Sequence, residues 1–305
     1  MTEAAVNMSY EAYSEEPEYI EMNRAFVRTL ELSGVDRLLD LACGTGLMSD
    51  LVLEARGLRE ILALDLAREQ LELMREHFRG KEMITREGRQ GRPAGAPGFL
   101  LVEGSADTLP FASGAVDLVL MGNSIHNLPD RDRLLGEICR VLRPGGRFGF
   151  NSVFYAGTYV PGTEKFYQEW VQEALAFVMN RDREEKAQGL PGIRRKRGTG
   201  TPAFSKRWLT PPEWAEALAR HGLEVTRTHE RTSKMTRSNF ELVGSYAGLA
   251  AVLMSGYPIR LACEALKASV APALERTGFT TVPRNWLEMT AMKPRATGPG
   301  AGAER

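Results

Sequence analysis

The chain has 305 residues, 43% apolar and 26% charged, which leaves room for one large α/β domain with insertions or for two modest ones. Its 39 Lys and Arg balance 39 Asp and Glu, so no net charge draws it toward nucleic acid, whose binders carry a basic surface. Cys43, Cys139 and Cys263 are odd in number and lack paired metal-ligand spacing, and the N-terminus is polar and acidic rather than a signal peptide, so a cytoplasmic location is expected.

Residues 1–36 read as an N-terminal helical lid. From residue 37 to 153 short apolar runs alternate with helix-periodic segments. Leu38 to Leu41 ends at glycines, and Leu47, Leu51, Val52 and Ala55 then recur at helical spacing. Ile61 to Leu64 ends at Asp65 and is followed by Leu71, Met74 and Phe78. Further runs lie at Phe99–Val102, Val116–Met121 and Phe148–Phe150, with a Gly- and Pro-rich loop at 88–98 before the third strand. Strand and helix in alternation predict a mostly parallel sheet with helices on both faces, a Rossmann-like doubly wound α/β fold.

Beyond residue 153 the rhythm changes. Residues 154–210 read as a helical cap insertion with an amphipathic helix at 163–183 and a Gly-, Pro- and Arg-rich linker at 188–202. Residues 211–236 return to the core as a helix, with Pro at its start and Gly222 after its end, and a strand at 223–232. A second helical insertion spans 237–281, with helices at 239–255 and 259–277. The apolar stretch at 242–254 is interrupted by Gly244, Ser245, Tyr246 and Gly248, so it predicts a buried helix and no membrane span. An antiparallel last strand is expected at 286–292 within residues 282–293, and 294–305 read as a disordered tail.

The chemistry-bearing string is LLDLACGTG, residues 38–46. A strand ends, an acid stands at Asp40, and Gly44 and Gly46 turn the chain into a helix where a ligand can approach the backbone. A dinucleotide site asks for a third glycine at position 49, where this chain has Ser49, so a pyrophosphate fits poorly. Asp65, closing the second strand, suits two ribose hydroxyls, and an acid in GSAD (104–107) suits an adenine amino group.

LDLACGTG, GSADTLPF and NSIHNLPDRDRLLGEICRVLRPGG together resemble the class I S-adenosylmethionine-dependent methyltransferases, in particular the ubiquinone/menaquinone-biosynthesis (type 11) small-molecule family, over roughly residues 37–153. The resemblance implies S-adenosyl-L-methionine as cofactor. It implies that Asp40, Ala42, Cys43, Gly44 and Gly46 hold the methionine part, that Asp65 holds the ribose, and that Leu66 and Gln70 beyond it also contact the cofactor. Ala106 and Asp107 would border the adenine, Asn123 to His126 would line the reaction face, and Tyr10 and Tyr13 would close the site. Cys43 also reads as a small buried filler, and Glu137, Arg140 and the RPGG glycines as pins for a helix and a turn before the fifth strand.

Two residues are candidates for catalysis. His126 follows the fourth strand and is either a general base for an acceptor hydroxyl or a hydrogen-bonding histidine only. Glu169, among Phe166, Tyr167 and Trp170, is a base with a raised pKa, a stabiliser of a cation near the rings, or the wet face of its helix. Tyr155, Phe166, Trp170, Arg195, Trp208 and Tyr246 are candidate substrate contacts, because the insertions are rich in aromatic and Met side chains and the run at 194–197 suits an anion. His77, His126, His221 and His229 form no evident ligand set, so no metal is expected.

The expected activity is O- or C-methylation of a small, largely apolar acceptor, a secondary metabolite or an isoprenoid-like lipid. Carbon methylation of a prenyl diphosphate such as geranyl diphosphate is an alternative, and a non-catalytic cofactor-binding module is an alternative of another class. The expected partner is a small molecule, with a homodimer left open.

Overall fold

A computed structural model describes residues 11–81, 97–128, 130–196 and 207–295. The predicted loop at 88–98 lies outside these up to residue 96, as do Tyr10, Arg197 and the tail from residue 296. In chain order the described elements are α1 (Glu11–Ser14), α2 (Pro17–Val27), β1 (Arg37–Leu41), α3 (Leu47–Ala55), β2 (Glu60–Asp65), α4 (Arg68–Gly80), β3 (Gly98–Glu103) and β4 (Val116–Met121). They continue with α5 (Arg131–Val141), β5 (Leu142–Ser152), α6 (Glu164–Ala187), α7 (Pro211–Arg220), β6 (Glu224–Met235), α8 (Arg237–Ser245), α9 (Ala247–Leu253), α10 (Ile259–Ala268), α11 (Val270–Thr277) and β7 (Val282–Met292). The chain divides into a sheet unit (Asn23–Tyr155, Leu209–Glu230, Leu287–Arg305) and a helical unit (Met1–Met22, Ala156–Trp208, Arg231–Trp286).

Seven strands form one sheet in the order β3-β2-β1-β4-β5-β7-β6. The first five are parallel and β7 runs antiparallel to β5. Near-continuous apolar runs such as Val116–Met121 are what strands buried on both faces require. Alternation along the strands sends Leu39, Leu41, Val119, Met121, Phe148 and Phe150 into one layer with Leu134, Leu135 and Ile138 of α5 and Trp214 of α7. Asp40, of opposite parity, meets Ser49 of α3 on the other face. Both faces are thus covered, as a doubly wound sheet demands.

β2 lies on one side of β1 and β4 on the other, so the winding reverses between β1 and β4. Ligands of open α/β sheets bind outside the carboxyl ends at such a switch point. Register brings those ends level: Leu41 pairs with Leu64, Asp65 with Glu103, Asp40 with Leu120, and Met121 with Phe150.

The structure moves several predicted boundaries. The RPGG segment does not precede the fifth strand; it is a bulge inside β5, where pairing jumps from Val116–Leu142 to Leu118–Arg147. Gly145 has φ +77°, and a Cβ on Gly146 would stand 2.8 Å from the Arg143 carbonyl oxygen. The helix predicted at 259–277 is two, because Pro272 in the first turn of α11 has no N–H to continue α10. The helix predicted at 239–255 breaks at Tyr246, whose ring lies so close to Gly248 that a Cβ there would stand 2.4 Å away. The amphipathic helix runs to Ala187 rather than 183, and the last strand begins at Val282 rather than 286.

Within the helical unit, α6 buries Phe166, Trp170, Ala174 and Val178, one residue per turn. Phe166 and Trp170 pack on Phe240 of α8 with ring centroids 4.7 and 5.3 Å apart. The Trp170 indole N–H donates to the Leu266 carbonyl (2.7 Å), which satisfies the polar atom of a buried ring. Gly244 lets α8 approach closely: a Cβ would meet Trp170 at 3.1 Å and Leu266 at 3.3 Å.

The turn between β1 and α3 admits glycine alone at position 46. Gly46 has φ +93°, and an added Cβ would lie 2.8 Å from Phe78 and 2.9 Å from Met74. Gly46→Ala is expected to lower stability by about 2–4 kcal/mol, combining backbone strain with overpacking. Urea unfolding followed by circular dichroism checks this, and an unchanged midpoint would mean that the turn is not so constrained.

Candidate functional site

The turn beyond β1 is held by acids at the ends of two neighbouring strands. The Gly44 N–H donates to Asp65 Oδ2 (2.9 Å) and the Ala67 N–H to Asp65 Oδ1 (2.9 Å). Each carboxylate oxygen has two lone-pair sites, so Asp65, half-buried, keeps acceptor capacity. The Ser49 N–H (3.0 Å) and hydroxyl (2.6 Å) both donate to Asp40 Oδ2. Asp40 Oδ1 is buried with no partner in the fold. Burial pushes the Asp40 carboxyl up to about 7, against the two Ser49 hydrogen bonds that pull it down.

Ser49 thus orients the strand-end acid with two hydrogen bonds, of which a third glycine could not make the one from the hydroxyl. Cys43 is buried in the same turn, and burial first, then Asp40 and Asp65, pushes its thiol well above the ordinary value. A thiol so held is no nucleophile at neutral pH. Leu66, just past Asp65, is 74% exposed and offers an apolar face at the strand end, while Gln70 lies 3.7 Å from the position of a Cβ on Gly44. Ala106 is buried in the sheet core, and Asp107, on the surface, accepts from the Ser105 hydroxyl, which holds its carboxyl below the usual range. Arg140 donates to the carbonyls of Leu109 and Phe111, and Glu137 accepts from the Leu109 N–H. These two residues therefore pin the loop that carries Asp107, not a turn before the fifth strand.

Beyond β4 the chain takes a second strained step. Asn123 has φ +45°, as Ala42 beyond β1 has φ +55°. Such non-glycine residues cost about 1–3 kcal/mol and persist where the surroundings over-determine them. The Asn123 N–H donates to Asn151 Oδ1 (2.8 Å), Val153 N–H donates to Asn123 Oδ1 (3.0 Å), and Asn151 Nδ2 donates to Asn23 Oδ1 (2.8 Å). This chain of amides fixes the loop that bears His126, whose Nδ1 lies 3.2 Å from Ser152 Oγ and whose ring sits 4.1 Å from that of Phe154. Ser124 Oγ, in the same loop, is buried without a partner.

Asp40 to Gly46, Asp65 to Gln70, Ala106, Asp107, Asn123 and His126 therefore gather at one edge of the sheet unit. Tyr155, of the same unit, lies in its core with no exposed surface, and its hydroxyl donates to Glu230 (2.6 Å). The other candidates belong to the helical unit. Tyr13 is buried and donates to Met235 Sδ (3.5 Å); Phe166 and Trp170 are core residues; Trp208 stands 6.1 Å from the Tyr159 ring; Tyr246 is half-buried. Arg195 is exposed, donates to the Ser255 carbonyl and covers the Tyr257 ring. Glu169, on α6, has Oε2 buried without a partner. Among the described residues no group of three or more His, Cys, Asp or Glu side chains is placed to hold a metal, and no helix is long and apolar enough to cross a membrane. Asn151 and Asn23 are not announced by the sequence, because nothing in their spacing points to the strained turn that they hold.

A family model described as a methyltransferase domain, of the type 11 set, matches residues 39–150. The chain is 32% identical over 234 residues to the malonyl-[acyl-carrier protein] O-methyltransferase of Methylococcus capsulatus, covering 73% of this chain and 76% of that one. It is 30% identical over 155 residues to the ubiquinone/menaquinone biosynthesis C-methyltransferase UbiE of Francisella tularensis, covering half of this chain and spanning 56% of that relative. Among solved structures it resembles the phosphoethanolamine N-methyltransferase 2 of Haemonchus contortus, in complex with phosphomonomethylethanolamine and S-adenosylhomocysteine, with TM-score 0.51, 15% identity and coverage of 94% and 56%. With the edge of strand-end acids and glycines already in place, fold and sequence define a class I S-adenosylmethionine-dependent methyltransferase. Within that class the chain belongs to the type 11 family, which acts on small molecules.

The residues present fit the cofactor. An unpartnered buried acceptor at Asp40, spare acceptor sites on Asp65 and the apolar face of Leu66 suit an ammonium group, a pair of hydroxyls and a flat ring.

Because its pKa is raised on folding, Asp40 favours the folded state when protonated. That contribution is fully present below about pH 4 and is lost as the pH rises to about 7. Asp40→Asn is expected to gain melting temperature relative to the wild type across this window, read by thermal unfolding at a series of pH values. A difference that stays flat between pH 4 and 7.5 would refute the shift.

Proposed function

We propose that the protein transfers the methyl group of S-adenosylmethionine to oxygen or carbon of a largely apolar small molecule, a secondary metabolite or an isoprenoid-like lipid, in the cytoplasm. The observation that carries the apolar acceptor is a groove of about 500 Å³ on α6, walled by Tyr159, Tyr167 and Val171 with Gln168, Gln172 and Glu164 at its polar margin. The cofactor supplies a methyl group already activated by a positively charged sulfur. What the chain supplies is position: the carboxylates of Asp40 and Asp65 and the turn between them fix the donor, and fixing reactants in line is the main source of rate in such a displacement. In this reading the His126 imidazole takes the proton of an acceptor hydroxyl, with Ser152 Oγ holding its Nδ1 side.

The alternative of a prenyl diphosphate acceptor draws support from Glu169, whose buried, unpartnered Oε2 could remove a proton after carbon methylation. In that case the diphosphate would fall to Arg194 and Arg195, of which Arg195 is already engaged by Ser255 and Tyr257.

The test is calorimetric titration with S-adenosylhomocysteine, followed by a radiolabelled-methyl screen against extracts and candidate acceptors, prenyl diphosphates included. Binding followed by a labelled apolar product is the expected result; binding with no product from any acceptor would favour a non-catalytic module. With the true acceptor, His126→Ala is expected to lower turnover roughly 100-fold while leaving S-adenosylhomocysteine affinity unchanged. Unchanged turnover would remove His126 from the chemistry.

A further inference from the structure

The helical unit buries polar atoms that its own fold leaves unanswered. The Tyr167 hydroxyl, on α6, is sealed from solvent and has no hydrogen-bond partner. The indole N–H of Trp286, on β7, is buried and unpartnered in the same way. Buried donors are nearly always satisfied in folded proteins, so two in one unit ask for a reason.

Both stand close to a buried cation. Arg284 is 7% exposed, and it shares a face of β7 with Trp286, two residues on; Pro283 and Asn285, between and beside them, are less buried. The Arg284 backbone bridges Tyr159, and the Tyr159 ring lies 4.4 Å from that of Tyr167. Arg284 Nε donates to Thr158 Oγ1 (3.2 Å). The rings of Tyr13, Tyr19 and Trp286 follow in series at 5.1 and 5.5 Å. The guanidinium acts on both flanking phenols, Tyr13 and Tyr167, although burial still pushes Tyr167 up to about 12. Of the acids that act on Tyr13, Glu16 accepts from Asn239 Nδ2 and Glu18 accepts from the Ser233 hydroxyl.

Arg284 and Trp286 thus share one strand face, and Tyr167 stands within electrostatic reach of the same guanidinium. The groove on α6 has Tyr159, whose backbone bridges Arg284, and Tyr167, on which the guanidinium acts, in its wall. We propose that the helical unit binds a ligand through an oxyanion, a carboxylate or a phosphate, which Arg284, Tyr167 and Trp286 recognise while an apolar body lies along Tyr159 and Val171. A planar guanidinium with neutral donors beside it suits an oxyanion and discriminates against an amine. Calling this ligand the methyl acceptor rests on the function proposed above; the preference for an oxyanion does not.

The test is calorimetry on the full chain with octanoate, octyl phosphate, octanol and octylamine. At least one of the two anions is expected to bind tighter than octanol by about tenfold or more, the scale of a charge-assisted hydrogen bond, and which one does so tells carboxylate from phosphate. Tyr167→Phe, which removes a single oxygen, should weaken that anion several-fold, leave octanol affinity unchanged and not lower Tm. A tyrosine that only fills space would not separate anion from alcohol. Arg284→Met should abolish the preference altogether; should it fail to fold, Trp286→Phe takes its place with a several-fold loss. Equal affinity for octanol and both anions, a preference for octylamine, or an anion preference untouched by Tyr167→Phe would overturn the proposal. Titration of S-adenosylhomocysteine into the same samples separates the two claims. Cofactor binding without anion preference sinks this inference alone, and anion preference without cofactor binding sinks the methyltransferase reading alone.

Discussion

The chain cannot leave the end of β1 in an ordinary backbone conformation, and much of the sheet unit is built to hold it in the one it takes. Ala42, Gly44 and Gly46 all have positive φ, a sequence of dihedrals that an unrestrained chain would abandon. Asp65 holds the Gly44 N–H from the neighbouring strand, Asp40 anchors Ser49 in the first turn of α3, and Gly46 lies directly against Phe78 and Met74 of α4. Turn, helix start and the next helix are therefore one packed block. Its backbone is presented outward at the switch point, where a ligand can use it.

The same logic recurs one strand over. Asn123 is strained in the same sense, and it is held by Asn151 of β5, which Asn23 holds in turn. Side-chain amides do here what carboxylates do beside β1. The two strained residues follow the two strands that flank the reversal of winding, so among the described residues non-glycine strain lies at the switch point. Two of the buried, unpartnered polar atoms lie at the same places: Asp40 Oδ1 near the end of β1 and Ser124 Oγ beyond β4. A fold tolerates such atoms most readily where a ligand completes them.

The two units meet the demands of binding differently. In the function proposed above, the sheet unit would bind through backbone groups and strand-end acids. The second ligand proposed above would instead rely on side chains of α6 and β7, Tyr167, Arg284 and Trp286 among them.

The order of strands and helices up to residue 153, the glycine turn and the acids Asp40 and Asp65 were all legible in the sequence. They follow from local rules: apolar runs of strand length, helical periodicity, and the dihedrals that only glycine accepts. Even the role of Ser49 was half visible, as a missing third glycine. What tertiary structure alone decided is which distant groups come together. The asparagine chain joins residues 23, 123 and 151, residues 167 and 286 bury unpartnered donors in one unit, and Glu137 with Arg140 grips a loop about thirty residues earlier in the chain. Sequence spacing encodes neighbours along a helix or a strand. It does not encode which strand lies beside which, and that adjacency makes these sites.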